Sequence, residues 1–138
     1  MTAPATDLQK SVFATLDGDT ELSGLLGGQR VYDRVPPGSA FPYITFGRTA
    51  LYDWSTGTEI GTEHIFTLQV WSKARGREET QAIMERVRAL LHDRPLPMES
   101  HRLVNLRLEF AEDRQDDDLA VHRGLLRFRA TVEAVNGE

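Results

Sequence analysis

The spacing of apolar positions changes period along the chain, and each change predicts an element. Leu8, Val12, Phe13 and Leu16 recur at helical spacing in TDLQKSVFATL, predicting a short amphipathic helix with Thr6 or Asp7 accepting the free amides at its start. Leu22, Leu25 and Leu26 predict a second, shorter helix that Gly27 and Gly28 stop. Val31 and Tyr32 form a brief extended run. The chain then turns through Pro36, Pro37 and Gly38, and Pro42 holds Phe41 extended ahead of a strand from Tyr43 to Phe46.

Residues 49–62 mix Ser, Thr, Gly and aromatics without a settled period, which predicts a long, mobile polar loop. HIFTLQVWS then alternates strictly, with Phe66, Leu68 and Val70 on one face and Ile65, Thr67, Gln69 and Trp71 on the other. The second face is half apolar, so a neighbouring subunit is expected to cover it. From Gly76 the period becomes helical, with Ile83, Met84, Val87, Leu90 and Leu91 in one stripe and Pro95 as the stop. Two strands close the chain. LVNLRLEF sets Leu103 or Asn105 against Val104, Leu106, Leu108 and Phe110, and HRGLLRFRATVEAV sets Leu126, Phe128, Ala130 and Val132 against Arg127, Arg129, Thr131 and Glu133. Their connection carries the acidic residues Glu112, Asp113, Asp116, Asp117 and Asp118, predicting a solvated hairpin tip. The fold class that follows is α+β, a mostly antiparallel sheet of about four strands with helices packed on one face, in a single domain over residues 1–138.

Composition removes several function classes. With no cysteine among the 138 residues, disulfides, thiolate metal sites and cysteine nucleophiles are impossible. No apolar run is long enough to span a bilayer and no secretory leader pattern is seen, so a soluble product without a membrane partner is expected. The net charge is -5, and the only lysines are Lys10 and Lys73, so positive charge is almost all guanidinium. Arginine suits carboxylate pairing at subunit interfaces, while an acidic total argues against general nucleic-acid binding.

His64, His92, His101 and His122 form no HxH or HExxH arrangement, and the acidic run lacks the ligand alternation and turn glycine of a calcium loop. His92 is expected to place charge or a hydrogen-bond donor at a helix C-terminus. No serine lies in GxSxG and no glycine group matches a phosphate loop. The sequence therefore nominates no catalytic, cofactor-binding or metal-binding residue. Lys73, Arg75 and Arg77 form the one basic cluster, better suited to a carboxylate on another subunit than to phosphate.

VYDRVPPGSAFPYITFG at 31–47, STGTEIGTEHIFTLQVWS at 55–72, GREETQAIMERVRALLHDRPL at 76–96 and the closing acid-tipped strand pair together resemble the DUF3168 family of tailed-phage and prophage tail completion or tail terminator proteins. The order FPY, VWS, GREE carries the specificity. The resemblance implies a non-enzymatic α+β subunit that assembles as a homo-oligomeric ring, typically of six copies. Such a ring caps the head-proximal end of a tail tube, stops its polymerisation and meets the head-side connector protein. It implies no cofactor, and DNA would only pass through the lumen. The place implied is the tail–neck junction of a phage, prophage or gene-transfer particle, assembled in the bacterial host cytoplasm. On this reading Phe41, Tyr43 and Trp71 anchor subunit contacts, Lys73, Arg75 and Arg77 meet carboxylates, and the 49–62 loop touches the tube. The tip at Asp116, Asp117 and Asp118 faces a neighbour's arginines or repels phosphate from the lumen. The alternatives are a neck or head-completion adaptor, or a small monomeric peptide-binding module or enzyme.

Overall fold

Pro4 opens the first helix, α1 (Pro4–Asp17), in the first turn, where a missing amide costs nothing. The computed structural model describes residues 2–117 and 120–135. Leu8, Val12 and Leu16 are buried as their spacing predicts, but Phe13 lies on the solvent side. Neither Thr6 nor Asp7 caps α1, because the helix begins before them at Pro4, with Ala3 in the cap position. The second helix, α2 (Thr20–Leu26), is capped by Asp19, which accepts from the Leu22 amide at 2.9 Å, and it ends at Gly27 with φ 80°. Leu22 and Leu26 are buried while Leu25 is exposed.

The strands are β1 (Val31–Tyr32), β2 (Tyr43–Asp53), β3 (Gly61–Ser72), β4 (His101–Asp116) and β5 (Val121–Ala134), with α3 (Glu78–Leu91) between β3 and β4. They form one five-stranded sheet in the order β1-β2-β3-β5-β4, antiparallel except for the short β1–β2 pairing. The α+β class and the one-sided helical layer agree with the expectation, and β1 supplies the strand beyond four.

Register decides which residues share a face. Phe66 stands opposite Phe128, Leu68 opposite Leu126, and Ile44 opposite Val70, all on the side covered by the helices. The Phe66 and Phe128 rings stack at 5.4 Å, and Ile83, Val87 and Leu91 of α3 complete the core beneath them. At Gly124 α3 comes close to the sheet: a Cβ there would lie 2.5 Å from Met84 Sδ and 3.0 Å from Thr80 Cγ2.

Three sequence expectations change here. Half of the 49–62 segment is strand, since β2 runs to Asp53 and β3 starts at Gly61, which leaves 54–60 as the loop; Tyr52 pairs with Glu63 across the hairpin. Polar residues without an apolar period can still pair when their backbones continue a ladder started elsewhere. Likewise Glu112, Asp113 and Asp116 lie within β4 and Asp117 follows its end; Asp118 lies outside the described residues. The strict alternation expected for β4 is broken by irregularities at Val104 and Glu109, and a third lies at Gly47–Arg48 in β2. Each bulge inserts a residue and shifts the facing of everything after it, so Leu103, Leu106 and Leu108 all turn towards the core while Val104 and Phe110 are exposed.

Buried polar groups tie α1 to the start of β4. Asp7 accepts from the amides of Glu99 at 3.1 Å and Ser100 at 2.9 Å, and its other contact is His101 Nδ1 at 2.8 Å. Burial alone would push the Asp7 carboxyl up, but these hydrogen bonds outweigh it and hold it below the ordinary carboxylate value.

Candidate functional site

The helix-free face of the sheet is where side chains remain without an intramolecular cover. β3 contributes Glu63, Ile65, Thr67, Gln69 and Trp71 to it, as the alternation predicts, and all are half-buried. Register adds arginines that alternation alone could not position. Arg107 stands opposite Arg129, and Arg114 opposite Arg123, each pair across the β4–β5 ladder. Like charges directly opposite destabilise a ladder. One pair is partly offset: Arg129 lies against Glu63 and Glu109, and Arg127 reaches Glu109 at 3.2 Å while covering the Phe110 ring at 4.9 Å. Arg107, Arg114 and Arg123 have no ion pair among the described residues.

At one end of this face lies an aromatic cluster. Phe41 and Tyr43 rings approach to 4.8 Å, Tyr43 and Tyr32 to 5.9 Å, and Tyr43 and Trp71 to 6.5 Å. Trp71 is held by its Nε1, which donates to Thr45 Oγ1 at 3.0 Å, and Thr45 donates onward to Gln69 at 3.3 Å. The peptide bond joining Phe41 to Pro42 is cis. Arg30 donates to the carbonyls of Leu26 and Phe41, which fixes the loop carrying Phe41 to the end of α2. Cations lie on the rings, Lys73 Nζ 4.5 Å above Phe41 and the Arg123 guanidinium 5.6 Å from Trp71. Beside them opens a cleft of about 390 Å³ whose lining includes Trp71, Arg114, Asp116, Asp117 and Arg123.

The structure thus brings together Phe41, Tyr43, Trp71 and Lys73, and places Asp116 and Asp117 on the same cleft wall as Trp71. Arg75 and Arg77 do not join them; both are exposed in the turn before α3, without an ion pair among the described residues. Sequence reasoning missed Tyr32, Arg114 and Arg123. Their signal was the polar side of each strand's alternation, but only the ladder says which arginine faces which.

At the opposite end, the β2–β3 tip exposes Leu51 at 47%, Tyr52 at 54%, Trp54 at 45% and Ile60 at 56%. It is tied down by Trp54 N donating to Gly61 O at 2.9 Å and by Ala134 N donating to Ile60 O at 3.0 Å. Hydrogen bonding to Glu133 pushes the Glu59 carboxyl up, whereas Arg102 holds Glu133 down. Among the described residues no three His, Asp or Glu side chains are grouped to hold a metal, and no helix is long and apolar enough to cross a membrane.

Residues 10–133 match the family model described as tail completion protein gp17. The chain belongs to this tail completion family. It is a family of structural proteins, not of enzymes. The tail completion fold recurs in a chain of the virion of a native gene transfer agent particle, with a TM-score of 0.88 and 34% identity over 97% of this chain and 100% of that one. A search of curated protein sequences found no match.

Proposed function

We propose that this tail completion protein is the ring-forming subunit that ends a phage-like tail tube. Copies of it, six on the reading favoured by the sequence resemblance, close a ring at the head-proximal end of the tube, stop its growth and join it to the head-side connector. Residues 1–138 act as one assembly domain. The protein works in the virion or virion-like particle, at the tail–neck junction, after assembly in the bacterial host cytoplasm, and DNA passes through the lumen without being chemically altered. One observation carries the reading: end-to-end likeness to a chain of an assembled gene transfer agent virion, within a family of tail completion proteins.

The contacts proposed are physical rather than catalytic. Phe41, Tyr43 and Trp71 supply apolar area at low entropy cost, and Lys73, Arg75 and Arg77 take carboxylates of neighbours. Asp116, Asp117 and Asp118 set orientation in a salt-sensitive way. Closed symmetry leaves no unmatched copy of a contact.

Light scattering across a concentration series with negative-stain imaging tests the ring. The expected result is a closed species with a central hole at about 93 kDa, six times the 15.5 kDa chain. Binding of that species to isolated tail tubes supports termination, whereas binding to emptied heads and not to tubes assigns it to the neck. Trp71→Ala with assembly and melting unchanged removes Trp71 from the interface.

A further inference from the structure

The two surfaces left open at the ends of the sheet are complementary to each other and cannot meet within one chain. The β2–β3 tip exposes Leu51, Tyr52, Trp54 and Ile60, and between residues 49 and 62 its only charged side chains are the carboxylates of Asp53 and Glu59. The far end of β3 carries the aromatic wall of Trp71, Tyr43 and Phe41, with Lys73, Arg114 and Arg123 around it. Gly61 and Ser72 mark the two ends of β3, so roughly 35 Å of strand separates them at about 3.3 Å per residue.

The sheet edges offer a poorer route to association. On β4 the outward groups near the middle are occupied, because Asp93 N donates to Leu106 O at 2.8 Å and His92 Nδ1 accepts from Leu108 N at 2.9 Å. Bulges at Val104 and Glu109 interrupt the rest of that edge, and one at Gly47–Arg48 interrupts β2. Such features prevent continuous strand addition.

We propose that the occupant of the Trp71–Arg114–Arg123 cleft is the β2–β3 tip of a second copy of this chain. The tip's apolar side chains would lie on the Trp71 wall, and Asp53 would meet the arginines that face each other across β4 and β5, relieving their repulsion. The two patches differ, so the contact is head-to-tail, the kind that closes into a ring when its rotation allows and otherwise runs on as a filament. A carboxylate fits this cleft better than a polyanion, since Asp116 and Asp117 on its wall repel a run of phosphates. The inference rests on the ring reading, and names its contact.

The absence of cysteine makes trapping clean. Thr58→Cys on the tip and Gln115→Cys on the cleft, both exposed positions, are purified separately, mixed and treated with a short bismaleimide. The expected product is the mixed dimer, at about tenfold or more over a control pair using Glu85→Cys on α3. Arg114→Glu with Arg123→Glu in the cleft partner abolishes that excess, and a chain carrying both cysteines gives a ladder ending in a closed species. Dimers only of Thr58→Cys with itself or of Gln115→Cys with itself, or no excess over control, overturn the proposal. Rings of the wild-type chain together with no mixed cross-link between the two cysteine variants overturn the contact and leave the ring; the cross-link with open filaments overturns the ring and leaves the contact.

Discussion

The imidazole of His92, the residue that ends α3, accepts a hydrogen bond through Nδ1 from the Leu108 amide on the outer edge of β4 at 2.9 Å. The sequence suggested end charge or a hydrogen-bond donor at this helix end; Nδ1 is an acceptor here because the group it meets is a strand amide, which leaves the ring proton on Nε2. Its Nε2 lies 3.3 Å from Asp93, whose φ of 56° turns the chain so that its own amide reaches Leu106. The helix terminus thereby shields part of an edge that would otherwise pair with another chain.

His92→Ala removes this acceptor and leaves the Leu108 amide facing outward. The expected cost is about 1 kcal/mol in urea denaturation. Hydrogen exchange should show faster exchange at Leu108 than at the β3–β5 amides, and unchanged exchange at Leu108 would mean that the edge is protected by something else.

Stability should fall in two stages on acidification. Burial, followed by the charge of His101, holds the His64 imidazole below its ordinary value of 6.5. A depressed histidine favours the folded state fully above 6.5 and loses that contribution as pH falls below it, with a slope of at most about 1.4 kcal/mol per pH unit. Asp7, held below 3.8, keeps its contribution above that value and loses it as pH falls further. His64→Leu should flatten the first stage and leave the second, as read from urea midpoints across pH. A first stage that persists in this variant would assign it to another group.

Gly124→Ala should destabilise by about 1–2 kcal/mol, at the lower part of the overpacking range because the nearest atom, Met84 Sδ, belongs to the outer part of a flexible side chain. Adding Met84→Ala to that variant should cost less than Met84→Ala does in the wild-type chain. Simple additivity of the two in thermal melts would show that the methyl and the thioether do not compete for the same space.

Asp19 serves two elements, capping α2 through the Leu22 amide and receiving Arg86 of α3 at 2.8 Å and 2.9 Å. Asp19→Ala should cost about 1–2 kcal/mol through the cap alone. Asp19→Asn keeps an oxygen for the cap and should cost less. Equal losses in the two variants would place the whole effect in the Arg86 contact, whose guanidinium holds the Asp19 carboxyl below its usual value.

The elements whose residues repeat with one strong period were legible before any coordinates. β3 and α3 carry strict alternation and a clear 3.6 stripe, so their buried faces, and the helix-free face of β3, follow from local spacing alone. The resemblance carried by FPY, VWS and GREE pointed to tail completion for the same reason: it rests on residues in order along the chain.

Tertiary structure decided whatever depends on two distant segments meeting. The bulges at Val104 and Glu109 shift facing within β4 although nothing in LVNLRLEF marks them, because a bulge is set by the partner strand β5. Asp7 looked like a helix cap and instead holds the start of β4, 92 to 94 positions away. The opposed Arg114 and Arg123, the Tyr32–Tyr43–Trp71 cluster and the extension of β2 into residues expected to be loop are likewise products of register. Periodicity records how each residue is oriented on its own element; which residue stands across from it is set by loop closure and packing of the whole sheet.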